Sequence, residues 1–271
     1  MSLGSFYDNM SQKGVLVLNN IINHLIIWCR DKAEVYRRAY NTNGGGFGIG
    51  STLAYELDFK LSALIDKPFE SADALQNDVL DLMDVHYEPG ILNPQNRTMQ
   101  FIIDKVNKEF REYLEEVLTN KDTLPLADLP YNRVIVGAEA GALQDRFRSV
   151  WSYEKNSYWF PLMGEEPKEV ADKFFIMFDH FEPYMKQFEQ IIGLPRTHLY
   201  CYGETVCRPP HCLETVEIIE YGGCETIYTD KDFSWAVYFS HEDTVAFAGT
   251  IVPAVKELLI KEKEHWDKFD M

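Results

Sequence analysis

Between residues 13 and 40 the apolar positions recur at helical spacing, with Leu18, Ile21, Ile22, Leu25 and Trp28 on one stripe. Asn41 to Gly50 ends this helix, since five glycines in seven residues make a flexible loop. The next stretch alternates. Leu53, Tyr55, Leu57, Phe59 and Leu61 interleave with Ala54, Glu56, Asp58 and Lys60, which predicts a half-buried strand. The same residues have good helix propensity, so a helix is the alternative. Ser71 caps a helix carrying Leu75, Val79, Leu82 and Met83, and Tyr87 to Pro94 is a loop. The clearest helix is 97 to 119, with Met99, Ile102, Ile103, Val106, Phe110, Tyr113, Leu114 and Val117 on one face. Residues 120 to 131, with two prolines, read as a linker.

Beyond the linker the texture changes. Arg133 to Val136 predicts a strand, and Val150 to Leu162 an aromatic hairpin turning near Lys155-Asn156. Residues 167 to 192 predict a helix, with Pro167 near its start and Gly193 just past its end. Strands follow at His198 to Tyr202, Leu213 to Tyr221, Cys224 to Tyr228, Phe233 to Phe239 and Thr244 to Ala248, the last pair joined by a turn at His241-Glu242-Asp243. A helix over 251 to 266 closes the chain, with Pro253 in its first turn. The expected class is α+β: a helix-rich region over 1–120, then an α+β domain over 131–271 with an antiparallel sheet flanked by helices. Whether the two halves share one core stays open.

Composition sharpens this picture. Of 271 residues 46% are hydrophobic, enough for a packed core. The run Val15 to Trp28 is too short and too polar to span a bilayer, and it lacks the flanks of a signal peptide. Five cysteines, an odd and sparse set, fit reduced thiols in a cytoplasm better than a disulfide framework. The formal net charge is −17, which disfavours nucleic acid and anionic membranes and favours a cationic partner. The excess is uneven: residues 200 to 243 hold nine acidic side chains against Arg208 and Lys231.

Several clusters could carry chemistry. Gly44 to Gly50 resembles a phosphate-cradling loop only in its glycines. It lacks the Gly-Lys-Ser/Thr ending and follows a helix rather than a strand. Cys201, Cys207, His211 and Cys212, with His198 nearby, are zinc-ligand types, but their spacing matches no paired-ligand pattern. Buried thiols are the simpler reading, and no cofactor is expected. A thiol nucleophile beside His211 would need a base and an oxyanion hole that sequence adjacency does not supply. Glu262 and His265 have the spacing of half a di-iron carboxylate motif whose other half is absent. The basic residues near the aromatic run Tyr153 to Phe160 are too few for a nucleic-acid platform.

The stretch Ser234-Trp235-Ala236-Val237-Tyr238-Phe239-Ser240-His241-Glu242, followed by Thr244-Val245-Ala246-Phe247-Ala248-Gly249, resembles the closing strand pair of some bacterial immunity proteins, which neutralise secreted toxins. Tyr158-Trp159-Phe160-Pro161 is similar in flavour. The resemblance covers the last third of the chain and implies an acidic binding protein without catalysis, but assigns no residue a role. Charge density points to Glu217, Glu220, Glu225, Asp230 and Asp232, with Tyr228 as an aromatic anchor. The expected function is an acidic intracellular protein that occludes a basic protein partner. The rivals are a metal-dependent hydrolase using the Cys/His cluster and a small-molecule module built on the glycine loop.

Overall fold

The computed structural model describes residues 3–43, 47–83, 97–154, 158–162, 170, 172–205, 208–218 and 225–269. The chain separates into two compact units, Met1–Leu129 and Pro130–Met271. The fold class is α+β, helical first and then a sheet with helices.

The first unit is helical. Helix α1 runs Leu3–Asn43, α2 Phe47–Ser62, α3 Ala72–Met83 and α4 Arg97–Thr119. The strand expected over 53–61 is overturned. Leu53, Ala54, Leu57, Asp58, Leu61 and Ser62 are the buried positions, a spacing of three and four, while Tyr55 is exposed. The alternation of apolar letters was incidental; Leu, Ala, Glu and Lys favour a helix, and α1 supplies an apolar stripe to pack on. Gly50 lets the two helices approach closely, because a Cβ there would lie 2.5 Å from the Tyr36 ring. Ser71 caps α3 as expected, its Oγ accepting from the Ala74 N–H at 3.1 Å.

The polar residues that interrupt the apolar run of α1 act as clips. Asn20 donates to the Pro125 carbonyl at 3.0 Å and accepts from the Ala127 N–H at 2.8 Å. His24 meets the same carbonyl at 2.9 Å, and Asn19 holds Asp66. The segment after α4 is therefore pinned along α1. Buried Asp58 is matched by Arg30 at 3.2 Å and by the Ser62 hydroxyl.

The second unit is one antiparallel sheet in the order β1-β4-β3-β5-β6-β7-β2. Its strands are β1 Asn132–Ile135, β2 Lys173–Met177, β3 Leu199–Thr205, β4 Arg208–Thr215, β5 Thr226–Asp230, β6 Trp235–Phe239 and β7 Thr244–Gly249. The two strands first in sequence form the two edges. Cross-strand register places Ile135, Cys212, Tyr202, Ile227, Tyr238, Ala246 and Phe175 on one face. Helix α5, Gly137–Trp151, covers that face with Leu143, Phe147 and Trp151, joined by Tyr153 and Trp159. On the opposite face Phe247 meets Phe174, Phe181 and Phe188. Phe181 belongs to α6, Phe178–Phe181, and Phe188 to α7, Met185–Ile191. Helix α8, Val252–Leu258, and a 3₁₀ helix over Ile260–His265 end the unit.

Four expectations fail here. The helix over 167–192 is instead β2 followed by short helices. Phe174, Phe175 and Ile176 are consecutive and all buried, because β2 is covered on both faces. Pro183 then confines helix to short pieces, although Gly193, at φ +80°, does end α7. The aromatic hairpin over 150–162 is replaced by the end of α5. Ser152, at φ +54°, terminates that helix, and its N–H donates to the Arg148 carbonyl at 3.0 Å; the turn residues Lys155-Asn156 lie outside the described residues. The closing helix over 251–266 breaks at Leu259 into α and 3₁₀ pieces. The strand expected to start at Leu213 begins instead at Arg208 and ends at Thr215. Pro209 and Pro210 are tolerated within it because β1 pairs only with residues 212 to 215.

Tyr238 is fully buried, yet its hydroxyl has no hydrogen-bond partner among the described residues. Removing that oxygen leaves no orphan behind. Tyr238→Phe is expected to stay within about 1 kcal/mol of the parent or to exceed it, as read by urea unfolding. A loss of several kcal/mol would reveal a partner for the hydroxyl.

Candidate functional site

Strand β5 holds three of the residues singled out for charge and aromaticity apart. Asp230 and Asp232 lie at the β5–β6 turn, and Glu225 lies at the opposite end of the strand, beside the β6–β7 turn. Asp230 is occupied locally: its carboxylate accepts from the Ser234 N–H at 2.7 Å and from the Ser234 hydroxyl, closing the turn in which Phe233 takes φ +60°. Asp232 is exposed, and its carbonyl accepts from Arg146 at 3.3 Å. Tyr228 is 1% exposed and packs edge-on against Phe239, so it serves the core rather than the surface. Glu217 is half-buried, its N–H donating to the Thr215 hydroxyl at 3.2 Å. Glu220 lies outside the described residues.

What the fold does assemble is the β6–β7 end. Strand β6 delivers Ser240 and His241, β5 delivers Glu225 alongside, and the turn projects Glu242 and Asp243. The turn is tight: the Ser240 N–H donates to the Thr244 carbonyl at 3.0 Å, and Asp243 takes φ +55°. Glu225 is 7% exposed, and its Oε1 accepts from the His241 ring at Nδ1, from the His241 N–H at 3.1 Å and from the Ser240 hydroxyl at 3.4 Å. Its Oε2 has no partner among the described residues. The other His241 nitrogen, Nε2, lies 3.2 Å from Glu242. Tyr158, half exposed, tilts over the His241 ring at 5.2 Å. An exposed aromatic ring thus sits over an imidazole that two carboxylates flank, at a turn that also carries exposed Asp243. The sequence marked His241-Glu242-Asp243 as a polar turn and Tyr158 as aromatic texture. It gave no sign that Glu225 and Tyr158 would meet there, because that contact depends on strand order.

A second acidic cluster is already neutralised. Glu214, on β4, accepts from Lys231 at 2.6 Å, Arg133 at 3.0 Å and His198 at 3.0 Å, and Arg133 also bridges to Glu139 at 2.6 Å. Burial alone would raise the Glu214 carboxyl, but the Lys231 and Arg133 hydrogen bonds more than offset it and hold it down to about 2. These basic groups are bonded to Glu214, so it is part of the scaffold and not a free binding surface.

The Cys/His set does not converge. Cys201 pairs across the ladder with Leu213, and Cys212 with Tyr202, so the two cysteines lie on opposite faces of the sheet. The Cys212 thiol turns to the Ala140 carbonyl at 3.8 Å, on the α5 side. Burial pushes the Cys212 thiol up to about 12 and Cys201 higher still, which keeps both protonated and unreactive. His211 is buried on β4, His198 is bonded to Glu214, and Cys207 lies outside the described residues. Gly44 to Gly46 of the glycine loop also lie outside them, and residues from Phe47 onward open α2. Among the described residues the ligand-type side chains that do converge are His180, Glu262 and His265. No helix of the described residues is long and apolar enough to cross a membrane. The chain matches no family model, no curated protein and no solved structure.

Proposed function

We propose that the chain is a binding protein that occludes a cationic protein partner, and that this partner is a toxin of the kind bacterial immunity proteins neutralise. The observation that carries the reading is the β6–β7 end, where half-exposed Tyr158 packs on His241, which Glu225 and Glu242 flank, in a turn that also carries exposed Asp243. Aromatic rings supply buried area at low entropic cost, and carboxylates around them steer and register a basic partner. The net charge of −17 supplies the long-range field, and carboxylates facing a nuclease would stand in for the phosphates of its substrate. Glu225 adds a nearly buried acceptor whose Oε2 would gain a donor from an incoming ammonium or guanidinium group.

Capture from a lysate of the source organism tests this. The tagged full chain is expected to retain a basic protein at low salt and release it at high salt. Glu242→Lys and Tyr158→Ala are each expected to lower its recovery about tenfold or more. Capture of no basic protein, or capture indifferent to salt and to both substitutions, would refute the proposal.

A further inference from the structure

On another part of the same unit, His180 of α6 meets Glu262 and His265 of the terminal 3₁₀ helix, and the one ligand atom each offers lies within 4.8 Å of the others. Local structure explains the convergence. A 3₁₀ helix has three residues per turn, so positions 262 and 265 eclipse on one face. Both ligand-bearing elements are tied to β2. Helix α6 continues directly from Met177 and is anchored by fully buried Phe181, and it brings His180 to the pair. Past the 3₁₀ helix, Trp266 packs on Phe174, and Asp267 exchanges backbone and side-chain hydrogen bonds with Phe175 at 2.9 and 3.0 Å. The Glu262 carboxylate is oriented by the Tyr184 hydroxyl, which donates to Oε1 at 3.1 Å, while Oε2 lies 3.3 Å from His180 Nδ1. The two imidazoles stack with centroids 3.8 Å apart.

We propose that His180, Glu262 and His265 form a binding site for a divalent transition-metal ion, with zinc the favoured occupant. Two imidazoles and one carboxylate suit zinc and the late first-row ions and are poor ligands for magnesium or calcium. The Tyr184 hydroxyl is the outer partner that fixes the carboxylate for such a role. Side-chain exposures of 30, 24 and 27% leave coordination positions open to water or to a group from another molecule.

The test titrates Zn²⁺ and Co²⁺ into the chelator-treated full chain. About one ion per chain is expected, with shifts of the His180 and His265 ring resonances and no competition from excess Mg²⁺. Glu262→Gln and His265→Asn are each expected to weaken binding at least about tenfold, and His24→Asn, in the first unit, to leave it unchanged. Melting curves of the metal-free variants establish that each is folded. Tyr184→Phe, which keeps all three ligands, is expected to weaken binding by a smaller factor. Absence of stoichiometric binding, or binding equal in the parent, Glu262→Gln and His265→Asn, overturns the proposal.

Discussion

Glu214→Ala is expected to destabilise the protein by about 3 kcal/mol, because it removes the one carboxylate that Arg133, Lys231 and His198 share. The Glu214 side chain is 9% exposed and Arg133 19%, so water replaces little of what that pair loses, while the half-exposed Lys231 and His198 are rehydrated. Arg133 keeps Glu139, which limits the damage. The same cluster fixes a pH dependence. The carboxyl sits at about 2 when folded against an ordinary value of 4.5. A carboxyl depressed on folding contributes stability that is fully present above its unfolded value and is lost as pH falls through its folded value. The parent should therefore lose on the order of 2–3 kcal/mol between about pH 5 and pH 2 through this group. Urea unfolding across that range should show a shallower acid slope for Glu214→Ala. Equal slopes would mean that the charges around Glu214 contribute nothing net.

Phe247→Ala should cost about 3–5 kcal/mol. Phe247 is fully buried and touches Phe174 at 5.2 Å, Phe181 at 5.2 Å and Phe188 at 5.5 Å between ring centroids. It is the point at which β7 holds both the edge strand β2 and the short helices α6 and α7. Those helices are too brief to persist without a packing surface. The loss should therefore appear in denaturant unfolding together with weaker amide-exchange protection over residues 178 to 191. Full retention of protection there would place the anchoring of α6 and α7 elsewhere.

These effects also indicate which features the residue pattern carries and which it cannot. Helix α4 was legible to its ends, because one unbroken stripe from Ile102 to Val117 admits a single period. β6 and β7 were legible from short apolar stretches bounded by turn residues. Helix α5 was missed. Gly137, Gly141 and its charged residues dilute a stripe of only Leu143, Phe147 and Trp151. Strand β2 was read as helix because a strand buried on both faces has no alternation to display. The candidate surface was half legible: the local excess of carboxylates is real, but sequence cannot say which are spent. Asp230 closes a turn, Glu214 is paired with Arg133 and Lys231, and Tyr228 is in the core. Only strand order brings Glu225 beside His241, and only the tertiary fold sets Tyr158 over the His241 ring.

The central claim is that a basic partner docks on the β6–β7 end of the second unit. Hydrogen–deuterium exchange of the full chain, with and without the partner recovered at low salt, addresses it directly. Slowed exchange is expected around Tyr158 and from Phe239 to Val245, with little change at the β5–β6 turn around Asp232. Protection confined to the first unit, or centred on Asp230 to Phe233, would contradict it.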